Sequence, residues 1–284
     1  MRHLKYLLIA ACAACFMACS DDDDFQESIL DITSEPQTAL DEWIWDRFTK
    51  EYNIRVIYKW KTFEVTPELN LVPVEEARVI PFMDIIWKVW MQPYIQLGGE
   101  VFFKETAPKQ IALVGSIGFM EAGVYLLGEA ERGRRITILG LNTRPIDKTR
   151  VEQFTHDFHH EYIHILNQLK SFPPAFEAIS AGDYTSSWSQ YSHVQAMGMG
   201  FISNYAMADA NEDFAEMASY FVFLSASSWE NRFQATGQPG SEAYNKLKEK
   251  ETIMLQYMKG MYNIDMYALR NLVQTAMAKV IAEL

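Results

Sequence analysis

The 284-residue chain is 49% hydrophobic and carries a formal net charge of −12. A chain of this length and composition can bury a sizeable core, which excludes a disordered protein. Its acidity excludes nucleic acid as a partner, because phosphate binding needs a basic surface, and it excludes electrostatic docking on anionic lipid. Any attachment to a membrane must therefore come from something other than surface charge.

The N-terminus has the pattern of a secretory signal. Arg2 and Lys5 precede the apolar stretch Leu7–Ala18, which is too short to span a bilayer and ends in small residues. We therefore predict a signal peptide over residues 1–18. The run that ends at Cys19 resembles a bacterial lipobox, in which the cysteine becomes the lipidated first residue of the mature chain. The alternative is an ordinary signal peptide that is cleaved without attachment of a lipid.

All three cysteines lie in or at the end of this leader, so the mature chain has no thiol for a disulfide or a metal. Any metal site must use histidine and carboxylate ligands. Residues 19–36 are predicted to form a lipid-anchored acidic linker, because the run Ser20–Asp24 is solvated and repels itself. That run also resembles the export signal of surface lipoproteins from Bacteroides-like bacteria. Residues 37–284 are predicted to form the catalytic domain, with an N-terminal helical part.

Hydrophobic periodicity predicts the order of elements in this domain. The predicted helices cover residues 39–52, 82–97 and 148–171 and, with a break at 237–240, the chain from about 210 to 284. The predicted strands cover residues 53–65, 109–116, 123–128 and 135–141. A small sheet followed by an active-site helix and C-terminal helices indicates an α+β fold.

The segment from His160 to His164 has the HExxH pattern and lies on a predicted helix. Two histidines four residues apart share one helix face, so two neutral imidazole nitrogens can bind one Zn²⁺. Glu161 lies about 100° around the helix, where it can remove a proton from the attacking water. The segment therefore predicts a zinc hydrolase with His160 and His164 as ligands and Glu161 as base. The alternative is a surface helix with incidental histidines and glutamate.

Two further histidines are predicted not to bind this metal. His156 lies one turn before His160, but His156 and His164 are roughly 12 Å apart along the helix and cannot hold the same ion. The pair His156 and His160 has no glutamate beside its first member. His159 points away from this stripe, and we interpret it as a solvated or hydrogen-bonded side chain.

A catalytic zinc needs a third protein ligand and an open position. Glu212 and Glu216 are four residues apart on a second predicted helix. One of them can bind the metal while the other orients a ligand imidazole, and their spacing leaves open which does which. Tyr205 precedes this helix, and its phenol can hydrogen-bond a developing oxyanion. The alternatives are a solvated acidic helix start and a tyrosine of the core.

Together these segments resemble the zinc-binding metallopeptidase family of Bacteroidetes lipoproteins, described as substrate import-associated zinc metallohydrolases. The resemblance rests on Cys19 and on residues 108–110, 113–116, 127–130, 159–161, 200–203, 205–206 and 212–216. It implies a zincin-like fold, Zn²⁺ as cofactor, and a location at the outer membrane beside an import system for nutrients.

The catalytic half is also similar, more distantly, to gluzincins of the anthrax lethal-factor type. In those enzymes a tyrosine precedes a Glu-x-x-x-Glu helix, which implies that Glu212 is the third zinc ligand, that Glu216 supports the site and that Tyr205 stabilises the reacting carbonyl oxygen. Ile163 departs from that type, which has glycine before the second histidine. This departure can narrow the space around the metal.

The leading hypothesis is a surface-tethered zinc peptidase, attached to the outer membrane through its lipid alone, that cuts a peptide or protein substrate beside a transporter complex. The run 135–141 is predicted to be the edge strand along which the peptide pairs. One alternative is a zinc hydrolase of a non-peptide amide or ester. Another is a non-catalytic lipoprotein that binds nutrients by stacking sugars on aromatic rings, namely Trp87, Trp90, Trp188 and Tyr191.

Overall fold

The computed structural model describes residues 38–60, 71–119, 125–126, 128–131, 135–235 and 237–284. The predicted signal peptide, the lipidation site Cys19 and the acidic linker lie outside these residues, as do parts of the predicted strands 53–65 and 123–128. Within the described part of the chain, no helix is both long and apolar enough to cross a bilayer.

Helices form most of the described chain. In chain order they are α1 (Ala39–Ile44), α2 (Lys50–Tyr52), α3 (Glu76–Ile86), α4 (Gln92–Thr106), α5 (Lys148–Leu169), α6 (Pro174–Ala178), α7 (His193–Gly198), α8 (Ala210–Phe223), α9 (Ala226–Ala235), α10 (Glu242–Tyr262) and α11 (Met266–Ala282). The π-helical turns Trp45–Thr49 and Trp87–Met91 join α1 to α2 and α3 to α4. Single-turn 3₁₀ helices cover Trp188–Gln190 and Tyr205–Met207.

Among the described residues, six short strands form two sheets. They are β1 (Arg55–Ile57), β2 (Gln110–Leu113), β3 (Gly118–Phe119), β4 (Tyr125–Leu126), β5 (Gly128–Glu131) and β6 (Arg135–Ile138). The larger sheet has the order β1-β2-β6-β5, in which β1, β2 and β6 are parallel and β5 is antiparallel to β6. Strands β3 and β4 pair with each other. A small sheet among many helices confirms the α+β fold.

The prediction that residues 135–141 form the edge strand is wrong. Strand β6 pairs with β2 on one side and with β5 on the other, so its backbone groups are used within the sheet. Among the described strands the edges of this sheet are β1 and, next to β6, β5. Residues 128–131 of β5 contain two glutamates and no apolar run. This composition lacks the apolar–polar alternation by which strands are recognised in a sequence.

Helix α5 carries the HExxH segment, and aromatic rings pack against its face that meets α3 and α4. The Asp147 carboxylate caps its N-terminus by accepting a hydrogen bond of 2.8 Å from the Arg150 backbone N–H. Three buried rings of α5 contact rings on the helices from α3 to α4, in the pairs Phe154–Phe82 (centroids 4.8 Å apart), Phe158–Trp90 (5.3 Å) and Tyr162–Tyr94 (4.8 Å). Each such pair contributes about 0.5–1.5 kcal/mol beyond the burial of area. This packing fixes the opposite face of α5 relative to the rest of the core.

Helix α8 is fixed to α10 by an ion pair that solvent does not reach. Lys250 Nζ lies 2.6 Å from Asp213 Oδ2, and both side chains are 0% exposed. Lys250 also donates to the Gly200 carbonyl at 3.0 Å, and the Tyr184 hydroxyl donates to Asp213 at 3.0 Å. Asp213 directly follows Glu212, so this pair sets the position of the turn that carries the predicted third ligand.

We expect Lys250→Ala to destabilise the protein by about 3–5 kcal/mol, because it leaves the Asp213 carboxylate buried without its cation. Urea unfolding followed by circular dichroism measures the change. Lys246→Ala is the matched control on the same helix, since Lys246 pairs with the half-exposed Asp183 and its loss should cost at most about 1 kcal/mol. Equal losses in the two variants would contradict the importance given to the buried pair.

Candidate metal centre

Three side chains from two helices meet at one point. His160 Nε2 lies 3.0 Å from His164 Nε2 and 3.0 Å from Glu212 Oε2. His164 Nε2 lies 3.3 Å from the same Glu212 oxygen. The structure thus brings together the three residues predicted as zinc ligands, although they lie up to 52 residues apart in the chain.

Local helix geometry and the packing of two helices explain why these three side chains converge. His160 and His164 are one turn apart on α5, and their ring centroids lie 4.7 Å apart. Helix α8 packs directly against α5. The Asp209 carboxylate caps α8 by accepting hydrogen bonds from the backbone N–H groups of Asn211 and Glu212, at 2.7 and 3.1 Å. Glu212 therefore sits in the first turn of α8, where the helix dipole favours a negative charge.

The donor atoms and their spacing fit a zinc ion. Ligand atoms held about 2.0–2.1 Å from zinc at tetrahedral angles are about 3.3–3.4 Å from one another, and the three separations here are 3.0 to 3.3 Å. Two imidazoles and one carboxylate form a donor set that leaves a fourth position open, as a catalytic site requires. His160, His164 and Glu212 are therefore the residues that would hold the ion.

Glu216 lies behind His160 rather than beside the other donor atoms. Its Oε1 accepts a hydrogen bond of 2.9 Å from His160 Nδ1, and its Oε2 accepts one from the Ser203 hydroxyl. This bond directs His160 Nε2 at Glu212 and His164, so Glu216 fixes the ring in the orientation that presents Nε2 to a metal. The geometry thus gives the two glutamates different positions, while their roles as ligand and support stay predictions.

His156 is partly buried and contacts Glu216 of the same network, a contact that the sequence analysis does not predict. Its Nε2 lies 3.3 Å from Glu216 Oε1, and its Nδ1 lies 3.2 Å from Asp157 Oδ1. Burial lowers the pKa of His156, but the neighbouring carboxylates, Glu216 above all, outweigh this effect and raise the pKa to about 9. A protonated His156 offsets the charge of Glu216. The stripe His156, His160 and His164 was the only signal of this contact that the sequence offered.

His159 is buried and hydrogen-bonded, and it takes no part in the metal centre. Its Nε2 donates to the Val89 carbonyl at 3.2 Å, and its Nδ1 lies 3.3 Å from the Tyr94 hydroxyl. The Val89 carbonyl is available because Pro93, four residues later, has no N–H to donate to it. Burial lowers the pKa of His159 to about 4, so the ring stays neutral and links α5 to α4.

Ile163, the residue that departs from the lethal-factor type, belongs to the hydrophobic core. Its side chain is 1% exposed and lies in the same cluster as Tyr162 and Leu166. The replacement of glycine by isoleucine at this position is therefore accommodated by core packing.

The carboxylates at the centre differ in proton affinity. Burial opposes ionisation of Glu212, but its hydrogen bonds with His160 and His164 dominate and lower its pKa to about 2. Burial raises the pKa of Glu161, against the opposing effect of the two histidines. Within the described residues no hydrogen bond reaches the Glu161 carboxylate, which lies on the same helix as the two histidines. Glu161 is therefore the carboxylate that is free to take up a proton.

Tyr205 lies beside the predicted ligands. Its ring is stacked on His160, with centroids 5.8 Å apart and planes inclined by 26°, and it meets Trp188 edge-on at 4.8 Å. Burial raises the pKa of Tyr205, and the charge of Glu212 raises it further. The phenol therefore keeps its proton at neutral pH and can donate a hydrogen bond.

Comparison with known proteins gives two matches. A family model described as "putative zinc-binding metallo-peptidase" matches residues 33–267, which is most of the chain. Among solved structures, the crystal structure of a putative zinc-binding metallo-peptidase from Bacteroides caccae is similar, with a TM-score of 0.71 and 26% sequence identity. The similarity covers 90% of this chain and 98% of that one. A search of the curated proteins found no match.

We expect Glu212→Ala to lose tight zinc binding, because it removes one of three converging donor atoms. Glu216→Gln should weaken zinc binding by about 10- to 100-fold, the usual effect of removing a carboxylate that supports a ligand imidazole. Competition with a chromophoric chelator measures both affinities. Glu230→Gln, an exposed change on α9, is the control and should bind as wild type does. A Glu212→Ala protein with wild-type zinc affinity would rule out the proposed ligand set.

Proposed function

The chain belongs to the family described as putative zinc-binding metallo-peptidases, and from that membership we propose that it hydrolyses peptide bonds as a gluzincin-type enzyme. The observation that carries the proposal is the convergence of His160, His164 and Glu212, whose donor atoms lie within 3.3 Å of one another. Glu161 stands on the same helix with a carboxylate that no described residue hydrogen-bonds.

Bound zinc would supply a Lewis acid that polarises the scissile carbonyl and makes water more acidic. The Glu161 carboxylate accepts the proton of the attacking water and later delivers it to the leaving amine nitrogen. Burial raises the pKa of Glu161, which makes the carboxylate a stronger base than an exposed glutamate. Glu216 holds the His160 ring in place throughout, since its hydrogen bond is to the nitrogen that faces away from the centre.

Tyr205 is proposed to stabilise the negative charge that develops on the carbonyl oxygen. Its phenol keeps its proton because burial and the nearby carboxylates raise its pKa. A preorganised O–H donor in a half-buried site stabilises an oxyanion more strongly than water does. The edge-on contact with Trp188 holds the ring at the centre.

A peptide is the favoured substrate because an edge strand lies beside the active-site helix. Within the described residues β5 pairs with β6 alone, and α5 packs against β5. The outer edge of β5 can therefore pair with the backbone of an extended peptide, which a substrate without a peptide backbone would not use. The corrected position of the edge thus moves the proposed pairing from residues 135–141 to 128–131.

The sugar-stacking alternative has less support from the aromatic residues. Trp90 is 0% exposed and packs on Phe158 and Tyr162. Trp87 packs against Phe48 and Tyr52. Trp90 therefore belongs to the core and cannot provide a stacking platform, and Trp87 is partly buried against that core.

We further propose that a lipid on Cys19 anchors the enzyme to the outer membrane, with its catalytic domain exposed at the cell surface beside a nutrient transporter complex. Support comes from the apolar leader that ends at Cys19 and from the acidic run that follows it. The net charge of −12 leaves the lipid as the physical basis for attachment.

Glu161→Gln should retain zinc and lose at least about 100-fold in kcat/KM on peptides, since a positioned general base contributes 10²- to 10⁴-fold. A peptide-library digest measures activity, and metal analysis of the same preparation measures zinc. Glu152→Gln is a matched change on α5 outside the centre and should retain full activity. Full activity in zinc-loaded Glu161→Gln would rule out Glu161 as the general base.

Cys19→Ser should release the protein from the membrane fraction when the full chain is expressed in a bacterium that lipidates its exported proteins. Fractionation of cells followed by immunoblotting measures the change. Cys15→Ser alters a cysteine within the leader and should leave the protein in the membrane fraction. If Cys19→Ser remains membrane-bound, the anchor lies elsewhere.

A further inference from the structure

A pocket of 460 Å³ opens between α7, α8 and α9. Its polar lining includes His193, Tyr220, Asn231 and Arg232, and its apolar lining includes Met197 and Leu224. No aspartate or glutamate is among the residues that line it. A cavity with one permanent cation and no acid is unusual for a chain whose net charge is −12.

The pocket borders the same helix and loop that form the candidate metal centre. The Tyr220 ring lies 4.6 Å from the ring of His156, which in turn contacts Glu216 at 3.3 Å. On the other side, the backbone N–H of Asn204 donates to His193 Nδ1 at 3.4 Å, and Asn204 directly precedes Tyr205. The pocket therefore adjoins side chains that contact residues of the candidate metal centre.

The distance along α8 matches the reach of a peptide. Tyr220 lies eight residues after Glu212, which corresponds to about 12 Å along a helix. An extended peptide rises about 3.3 Å per residue. A substrate whose scissile bond lies at the centre can thus place a residue within about four positions of that bond at the pocket.

Arg232 provides the charge of the pocket. Its Nε donates to the Ile202 carbonyl at 3.0 Å, and its guanidinium carbon lies 4.2 Å from the Tyr220 ring centroid. Within the described part of the chain no carboxylate lies within ion-pair distance of Arg232, whereas lysines of the neighbouring α10 pair with Asp183, Asp213 and Glu251. The backbone and ring contacts orient the guanidinium, and no described carboxylate forms an ion pair with it.

We propose that this pocket is a substrate subsite in which Arg232 binds a carboxylate of the peptide, with Asn231 and His193 as additional hydrogen-bonding groups. The inference rests on the proposed peptidase function. A guanidinium is planar and matches a carboxylate with two parallel hydrogen bonds, and the half-buried position strengthens them. The carboxylate can come from an aspartate or glutamate side chain or from the C-terminus of the peptide, and both present the same planar anion.

The test uses peptides that are identical except at one position within four residues of the scissile bond, where Asp or Glu is compared with Asn or Gln. Each peptide is made with a free and with an amidated C-terminus. For the zinc-loaded wild type we expect kcat/KM to be about tenfold or more higher for peptides with the bound carboxylate, in line with a hydrogen bond to a charged group. A preference that survives amidation assigns the pocket to acidic side chains, and one that amidation removes assigns it to the C-terminus.

Asn231→Asp should abolish this preference, because it places a competing carboxylate beside Arg232 at an exposed position where the fold tolerates the change. Gln234→Glu makes the same change in charge on the same helix outside the pocket and should keep the preference. Arg232→Gln should also lose the preference. If Arg232→Gln unfolds because it lacks the hydrogen bond to the Ile202 carbonyl, Asn231→Asp still tests the pocket.

The outcomes separate the two proposals. Equal kcat/KM across the series in an active wild type would overturn the subsite and leave the peptidase proposal standing. If zinc-loaded wild type cuts none of the peptides, the peptidase proposal fails. The subsite is then judged by fluorescence anisotropy of the labelled peptides. Tighter binding of carboxylate peptides that Asn231→Asp removes supports the pocket, and equal binding overturns it.

Discussion

His160 donates its Nδ1 proton to Glu216 at 2.9 Å, and this bond joins two helices whose residues are 56 positions apart. It fixes the relative position of α5 and α8, and it also decides which nitrogen of the imidazole faces the other donor atoms. Without it, the orientation of Nε2 would depend on packing and on the contacts with His164 and Glu212 alone. The hydrogen bond therefore acts on the fold and on the chemistry at once, and the remaining contacts of the centre are arranged around it.

Burying Glu216 is costly unless its charge is compensated, and the surrounding residues show how this is achieved. His156, His160 and Ser203 all direct polar hydrogens at the one carboxylate. Burial opposes its ionisation, yet the charge and hydrogen bonds of the two histidines hold the pKa of Glu216 well below its ordinary value. Asp213, three residues earlier, pairs with Lys250 of α10. Helix α8 can thus carry several acids in little more than one turn because each acid faces a different neighbour.

Local patterns in the sequence were sufficient to predict part of this arrangement. The spacing of His160 and His164 sets their relative position as soon as the segment is helical, and the spacing of Glu212 and Glu216 does the same on α8. The contact of Lys250 with Asp213 joins distant parts of the chain, and no local period encodes it. The same holds for β5, because strand order depends on pairing between segments, and its two glutamates resemble a polar turn. His159 is an intermediate case: Pro93 was visible in the sequence, but the identity of the group that meets the Val89 carbonyl was not.

The distribution of charge around α8 also bears on how a substrate is held. Asp213 and Glu216 are deeply buried, and their charges are stabilised within the protein by Lys250 and by His160 respectively. Arg232 contacts a backbone carbonyl and an aromatic ring, and these contacts orient its guanidinium without pairing it with an anion. A half-buried cation gains more from an anion than an exposed one does, since water screens it less. Where the described part of the fold supplies no acid to such a cation, the substrate is the natural source of the anion. The net negative charge of the chain repels a peptide carboxylate, whereas Arg232 in this pocket attracts it.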